Sequence, residues 1–331
     1  MLLFPLVIKI FKNLNWFDAP GTHKIHAASV PSMGGVAIMI GAILALLMGL
    51  PLQQWIERKY FFISLALMFL IGLRDDVLAL TPRQKLMSQF LPVLITVFLD
   101  KALLNSFYEW NSEPLPPYLS YLVSFVVIII VSNAYNLIDG IDGLAGAIGL
   151  IVLLSFGIWF IMTGDRYTGL VALCFAGALL AFLVFNWQPS SIFMGDTGAL
   201  TIGLLLSIFA IRFINVNSSL PPDHAAKFTA SISTSFCILI VPLFDTFRVI
   251  LIRLRKFQSP FHADRNHIHH GFLAAGMSHA QAVVWIALMN AGFVGLAIMM
   301  RKQPDWVLLP VIVIACLLIN FVLHRIQKKP V

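Results

Sequence analysis

The chain has 331 residues, 59% hydrophobic and 11% charged, with 22 Lys plus Arg against 15 Asp plus Glu. A soluble domain carries about 25% charged residues, so the composition excludes one and predicts an all-α, polytopic membrane protein forming a single transmembrane domain over residues 1–331. The formal charge of +7 does not signal nucleic-acid binding, because the basic residues are scattered through short loops instead of forming a tract. Contact with membrane lipid or a phosphorylated substrate fits better. Cys174, Cys237 and Cys316 lie inside apolar runs at no pairing or metal-ligand spacing and read as small core residues.

A span needs roughly 20 apolar residues. Apolar windows recur at 1–12, 34–52, 57–73, 86–104, 118–134, 143–163, 167–185, 198–214, 229–251, 281–300 and 306–323, eleven in all, which predicts ten to eleven spans. The first window is too brief to cross unaided and has no small-residue cleavage site, so neither a full span nor a signal peptide fits it; an N-terminal extension absent from this chain is a further reading. After it comes DAPGTHKIHAASVPSMGG, where Lys24 and His26 offer either a plain basic loop or a contact to lipid phosphate. Connections after the even-numbered windows hold eight of the 22 basic residues. The excess in the odd-numbered loops and at both ends places those on the cytoplasmic side.

The clustered acidic motifs lie in these same odd-numbered loops. Asp75 and Asp76 follow the third window, in IGLRDDVLALTPRQKL. Two adjacent carboxylates in a poorly solvated place need a cation or a Lys/Arg to stay ionised, which suits a metal or proton-transfer role. The plainer reading is capping of the following helix. After the fifth window, in SNAYNLIDGIDGLAG, Asn136, Asp139 and Asp142 recur every third residue and line one stripe of a helical turn; such oxygen ligands suit hard Mg2+ or Mn2+.

After the seventh window, FNWQPSSIFMGDTGAL places Asp196 where a helix re-enters the membrane. That is either an N-cap or a carboxylate completing a pyrophosphate site. After the ninth, RKFQSPFHADRNHIHHG holds Arg255, His262, Arg265, His267, His269 and His270 without a cysteine. The cationic field favours phosphate over zinc. Asp245, inside the ninth window and three residues before Arg248, suits an ion pair along one helix face.

The motifs DDVLALTPRQKL, NAYNLIDGIDGLAG, FMGDTGAL and HADRNHIHH, with KIH followed by PSMGG, resemble in this order the polyprenyl-phosphate N-acetylhexosamine-1-phosphate transferases, over the whole chain. The resemblance implies transfer of N-acetylglucosamine-1-phosphate, or a related aminosugar phosphate, from a UDP-N-acetylhexosamine to undecaprenyl phosphate, with release of UMP. It further implies Mg2+ dependence, with Mn2+ as a substitute, a homodimer, and a bacterial inner membrane with the active site facing the cytoplasm. Asp196 and Asn136 would hold the metal, Asp75 would act as base with Asp76 assisting, and Asp196 would join them in catalysis. Substrate would be bound by Lys24, His26, Lys85, Asn133, Asn136, Asp139, Asp142, Asn186, Arg265, His267, His269 and His270. The His-Ile-His-His ending resembles the branch that begins O-antigen, enterobacterial common antigen or wall teichoic acid. The MurNAc-pentapeptide branch has three consecutive histidines there. A cation- or proton-coupled transporter would instead place its acids near the midplane between repeated halves, and no repeat is visible here.

Overall fold

The computed structural model describes residues 1–13, 30–110, 113–259 and 266–327. Among the described residues the regular structure is helical, apart from one antiparallel bridge between Ser106 and Pro114. In chain order the helices are α1 (Leu3–Asn13), α2 (Gly34–Gly49), α3 (Leu52–Glu57), α4 (Lys59–Val77), α5 (Pro82–Ser88), α6 (Phe90–Leu94), which runs into a π-helical turn (Ile95–Leu99), and α7 (Pro117–Leu137). They continue with α8 (Leu144–Met162), α9 (Arg166–Asn186), α10 (Gly195–Ser219), α11 (Ser231–Ile238), α12 (Ile240–Arg255), α13 (Ile268–Ala274), α14 (His279–Met299) and α15 (Asp305–Gln327).

Helices are what long apolar runs must form in hydrocarbon, where the backbone has to satisfy its own N–H and C=O groups. Local residues set their starts. Pro117 opens α7, Asp165 accepts the Thr168 N–H at 3.2 Å at the start of α9, and Thr81 with Gln84 and Ser278 with Gln281 form capping boxes on α5 and α14.

Among the described residues six helices, α7 to α10, α14 and α15, are long and apolar enough to cross a membrane, and α11 with α12 makes a seventh candidate bent by 83°. The other predicted windows are helical but shorter or more polar. The first two give helices of 11 and 16 residues, the third becomes α4, which runs on into Arg74, Asp75 and Asp76, and the fourth is divided among α5, α6 and the π turn. At the 83° bend, Asn290 of α14 replaces the lost helical partners. Its Nδ2 donates to Ile238 O at 3.3 Å and its Oδ1 accepts the Val241 N–H at 3.4 Å.

The centre of the bundle is α10, with 83% of its apolar window buried in protein against 17% for the peripheral α15. It packs on α2, α4, α7, α8 and α11. Two glycines permit its closest crossings: a Cβ on Gly35 would lie 2.1 Å from Gly198 N, and one on Gly72 would lie 2.5 Å from Asp196 O. Phe156, Trp159, Phe160, Phe209 and Phe213 fill its far half. Because α4 and α7 end where α10 begins, their terminal polar residues meet at one end of the bundle.

Candidate active site

The site is organised around the first turn of α10, whose leading N–H groups have no helical partner of their own. Asp76 Oδ1 accepts the Asp196 N–H at 2.7 Å, and its Oδ2 accepts the Thr197 N–H at 2.9 Å together with the Thr197 hydroxyl. The Gly195 N–H goes to Asp139. The cap on α10 is therefore supplied by Asp76 from α4, while Thr81, not the Asp pair, caps the helix that follows α4. Gly195 sits at φ +71°, and a Cβ there would meet Ser32 O at 2.1 Å. The PSMGG segment buckles this start to α2: Phe193 N donates to Pro31 O (2.9 Å), Gly34 N to Phe193 O (2.8 Å) and Gly35 N to Met194 O (2.9 Å).

With its backbone fixed, the Asp196 carboxylate meets Lys85. Lys85 Nζ contacts Asp196 Oδ1 and lies 3.1 Å from Asp75 Oδ2. Asn136, its amide oriented to suit both neighbours, donates to Asp196 Oδ1 at 2.8 Å and accepts from Lys85 Nζ at 2.9 Å. Asp75 is buried, and its Oδ1 accepts the Leu80 N–H at 2.7 Å, anchoring the loop between α4 and α5. Burial opposes the Lys85 ammonium, yet Asp196 and Asp75 override it and hold its pKa above the ordinary lysine value. The Asp139 carboxyl is pushed up to about 7 by burial and then by Asp196, Asp76 and Asp142, with the Gly195 N–H opposing the shift. These are the marks of a pocket with more negative charge than the Lys85 ammonium neutralises.

The turn between α7 and α8 carries Asp139 and the buried Asp142. Asn186 ties it down, accepting the Gly143 N–H at 2.8 Å and donating to Ile192 O at 2.8 Å. Asn133 pairs with Gln89, donating at 2.8 Å and accepting at 3.2 Å. The amides of both predicted substrate-binding residues are thus committed to partners inside the protein.

The histidine segment closes over this turn. The His269 ring lies where a Cβ on Gly140 would be 2.7 Å from its Cε1, and the rings of His267 and His269 stack at 5.7 Å. Burial, then His270, lowers the His269 pKa to about 3. His269 is therefore neutral at ordinary pH and adds no charge to this segment. Asp245 turns toward His267 and Ile268. Lys24, His26 and Arg265 lie outside the described residues. Among the described residues, no three His, Cys, Asp or Glu side chains converge as a metal cage.

Residues 59–214 match the model of a family described as "Glycosyl transferase family 4". The likeness to that family lies in this central region. Over nearly its whole length the chain is also similar to two bacterial proteins named "Undecaprenyl-phosphate alpha-N-acetylglucosaminyl 1-phosphate transferase". It is 28% identical to the one from Salmonella typhi, over 98% of this chain and 88% of that protein. It is 28% identical to the one from Escherichia coli (strain K12), over 97% of this chain and 87% of that protein.

The matched region contains Asp75, Asp76, Lys85, Asn136, Asp139, Asp142 and Asp196, and ends before Asp245 and the histidines. Gln89, Thr197 and Asn290 contribute to the site's framework and were not singled out in the sequence. Gln89 and Thr197 stand within or beside quoted motifs, DDVLALTPRQKL and FMGDTGAL, so proximity was the available signal for them. Asn290, in an apolar run, offers only an isolated polar residue among lipid-compatible neighbours.

Proposed function

We propose that this chain transfers N-acetylglucosamine-1-phosphate, or a related N-acetylhexosamine-1-phosphate, from a UDP-sugar to undecaprenyl phosphate and releases UMP, as the first membrane step of a cell-envelope polysaccharide. The reading is carried by the cluster of Asp75, Lys85, Asn136 and Asp196 at one end of an apolar bundle, in a family 4 region whose relatives are named for that transfer. We assign that end to the cytoplasmic face of the inner membrane, from the distribution of Lys and Arg between loops.

In the transfer, an oxygen of the acceptor phosphate bonds to the sugar-bearing phosphorus of the donor. The bridging P–O bond breaks, and UMP leaves with the bonding pair. Two anions must approach, so positioning and charge compensation carry most of the catalysis. Asp75 takes up the proton of the acceptor phosphate, and Lys85 beside it draws phosphate oxygens into the cluster. Asp76, with both oxygens on the start of α10, positions Asp196. The turn bearing Asp139 and Asp142 faces the nucleotide sugar, and His267 and His270 hold its diphosphate.

The donor set suits a divalent cation. It consists of hard oxygens, with carboxylates in excess of the Lys85 ammonium, and Mg2+ commonly takes one or two carboxylates plus substrate phosphates in place of a full protein cage. Asp196 and Asn136 are the residues that would hold Mg2+, or Mn2+ in its place; when bound it supplies Lewis-acid neutralisation of the diphosphate. We assign part of the acceptor's isoprenoid tail to an apolar groove of about 240 Å³ between α7, α10 and the bent pair, lined by Val127, Val131, Ile214, Leu243 and Phe247. Val131 and Phe247 each stand two residues from a site position, Asn133 and Asp245.

Purified protein incubated with Mg2+, undecaprenyl phosphate and a panel of UDP-sugars should release UMP with at least one N-acetylhexosamine donor. Release with none of them would contradict the assignment. A secondary transporter has no observation in its favour.

A further inference from the structure

Asp245 is almost fully buried in α12, and nothing in the transfer chemistry described above uses it. Its two oxygens serve one short stretch of chain: Oδ2 lies 2.8 Å from His267 Nδ1, and Oδ1 accepts the Ile268 N–H at 2.8 Å. A buried carboxylate held this way fixes both the ring orientation and the tautomer of its histidine. With Nδ1 bonded to Asp245, Nε2 is the nitrogen left for a ligand. When the ring is an imidazolium, the carboxylate also balances its charge.

The aim of Asp245 depends in turn on the 83° bend that starts α12, where Asn290 bridges Ile238 O and Val241 N. On the other side, His267 stacks on His269, which rests on the Gly140 turn. A continuous chain of contacts thus leads from the bend to the turn that bears Asp139.

We infer that Asp245 is a positioning residue for the transfer, acting through His267 by holding its Nδ1 so that Nε2 is presented to the diphosphate of the donor. This rests on the transferase reading. It predicts that the two side chains are energetically coupled in donor use, which a merely structural carboxylate would not produce.

The test is a double-mutant cycle of Asp245→Asn and His267→Gln in the full-length protein, reading KM and kcat for the UDP-sugar. In the wild-type background Asp245→Asn should raise KM about tenfold, and in the His267→Gln background it should change KM less than about twofold. Equal effects in both backgrounds would overturn the inference while leaving the transferase reading intact. A wild-type protein inactive with every UDP-sugar would overturn both. Thermal unfolding of each variant checks that the fold survives. Should Asp245→Asn fail to fold, Asp245→Glu, which keeps the charge but displaces it by a methylene, carries the same cycle with the same criteria.

Discussion

Lys85 stands between two carboxylates, Asp75 and Asp196, and its removal leaves them facing each other in a poorly solvated place. Lys85→Met should therefore lose turnover and also cost about 3 kcal/mol of stability, measured by denaturation in detergent; an unchanged unfolding midpoint would refute the pairing. Asp75→Asn and Asp196→Asn keep shape and remove charge, so each should abolish UMP release while expression stays normal. His269 gives a pH signature. Its folded pKa of about 3 lies below the ordinary histidine value of 6.5, so between those values the unfolded chain binds the extra proton and stability falls as pH falls. The slope from this one group approaches about 1.4 kcal/mol per pH unit within the window. From pH 7.5 to pH 5 the wild type should lose more thermal stability than His269→Gln, and equal losses would show that His269 is not buried neutral.

At the scale of elements, the site depends on how closely α2 and α4 approach the start of α10. Gly35→Ala places a methyl 2.1 Å from Gly198 N, where backbone must move, whereas Gly177 has nothing within 4 Å. Gly35→Ala should destabilise by about 1–3 kcal/mol and reduce turnover with it, while Gly177→Ala should leave both nearly unchanged. The helices themselves are legible in the sequence, because apolar runs of span length admit little else. The bend at Leu239 is only half legible: Pro242, which has no N–H to offer Ile238 O, is a local signal within the run from 229 to 251, but Asn290, which takes up the freed groups, lies some fifty residues further along the chain. Asp76 is legible as important but not as a cap: its partners lie 120 and 121 residues away, a pairing that local spacing does not encode.

For the whole molecule, the contacts of Asp76, Lys85 and Asn136 with the start of α10 put the acidic motifs at one end of the bundle, as the alternation of windows predicts. A cysteine at Asp223, in the exposed connection after α10, placed in a background without Cys174, Cys237 and Cys316, should label from outside the cell. Labelling only from the cytoplasm would invert the orientation assigned above. The most direct test of the central claim is mass spectrometry of the lipid product made by purified protein from UDP-N-acetylglucosamine and undecaprenyl phosphate with Mg2+. The wild type should yield a lipid carrying N-acetylglucosamine through a diphosphate, and Asp196→Asn should yield none; the same lipid formed undiminished by Asp196→Asn would contradict the claim that this cluster performs the transfer.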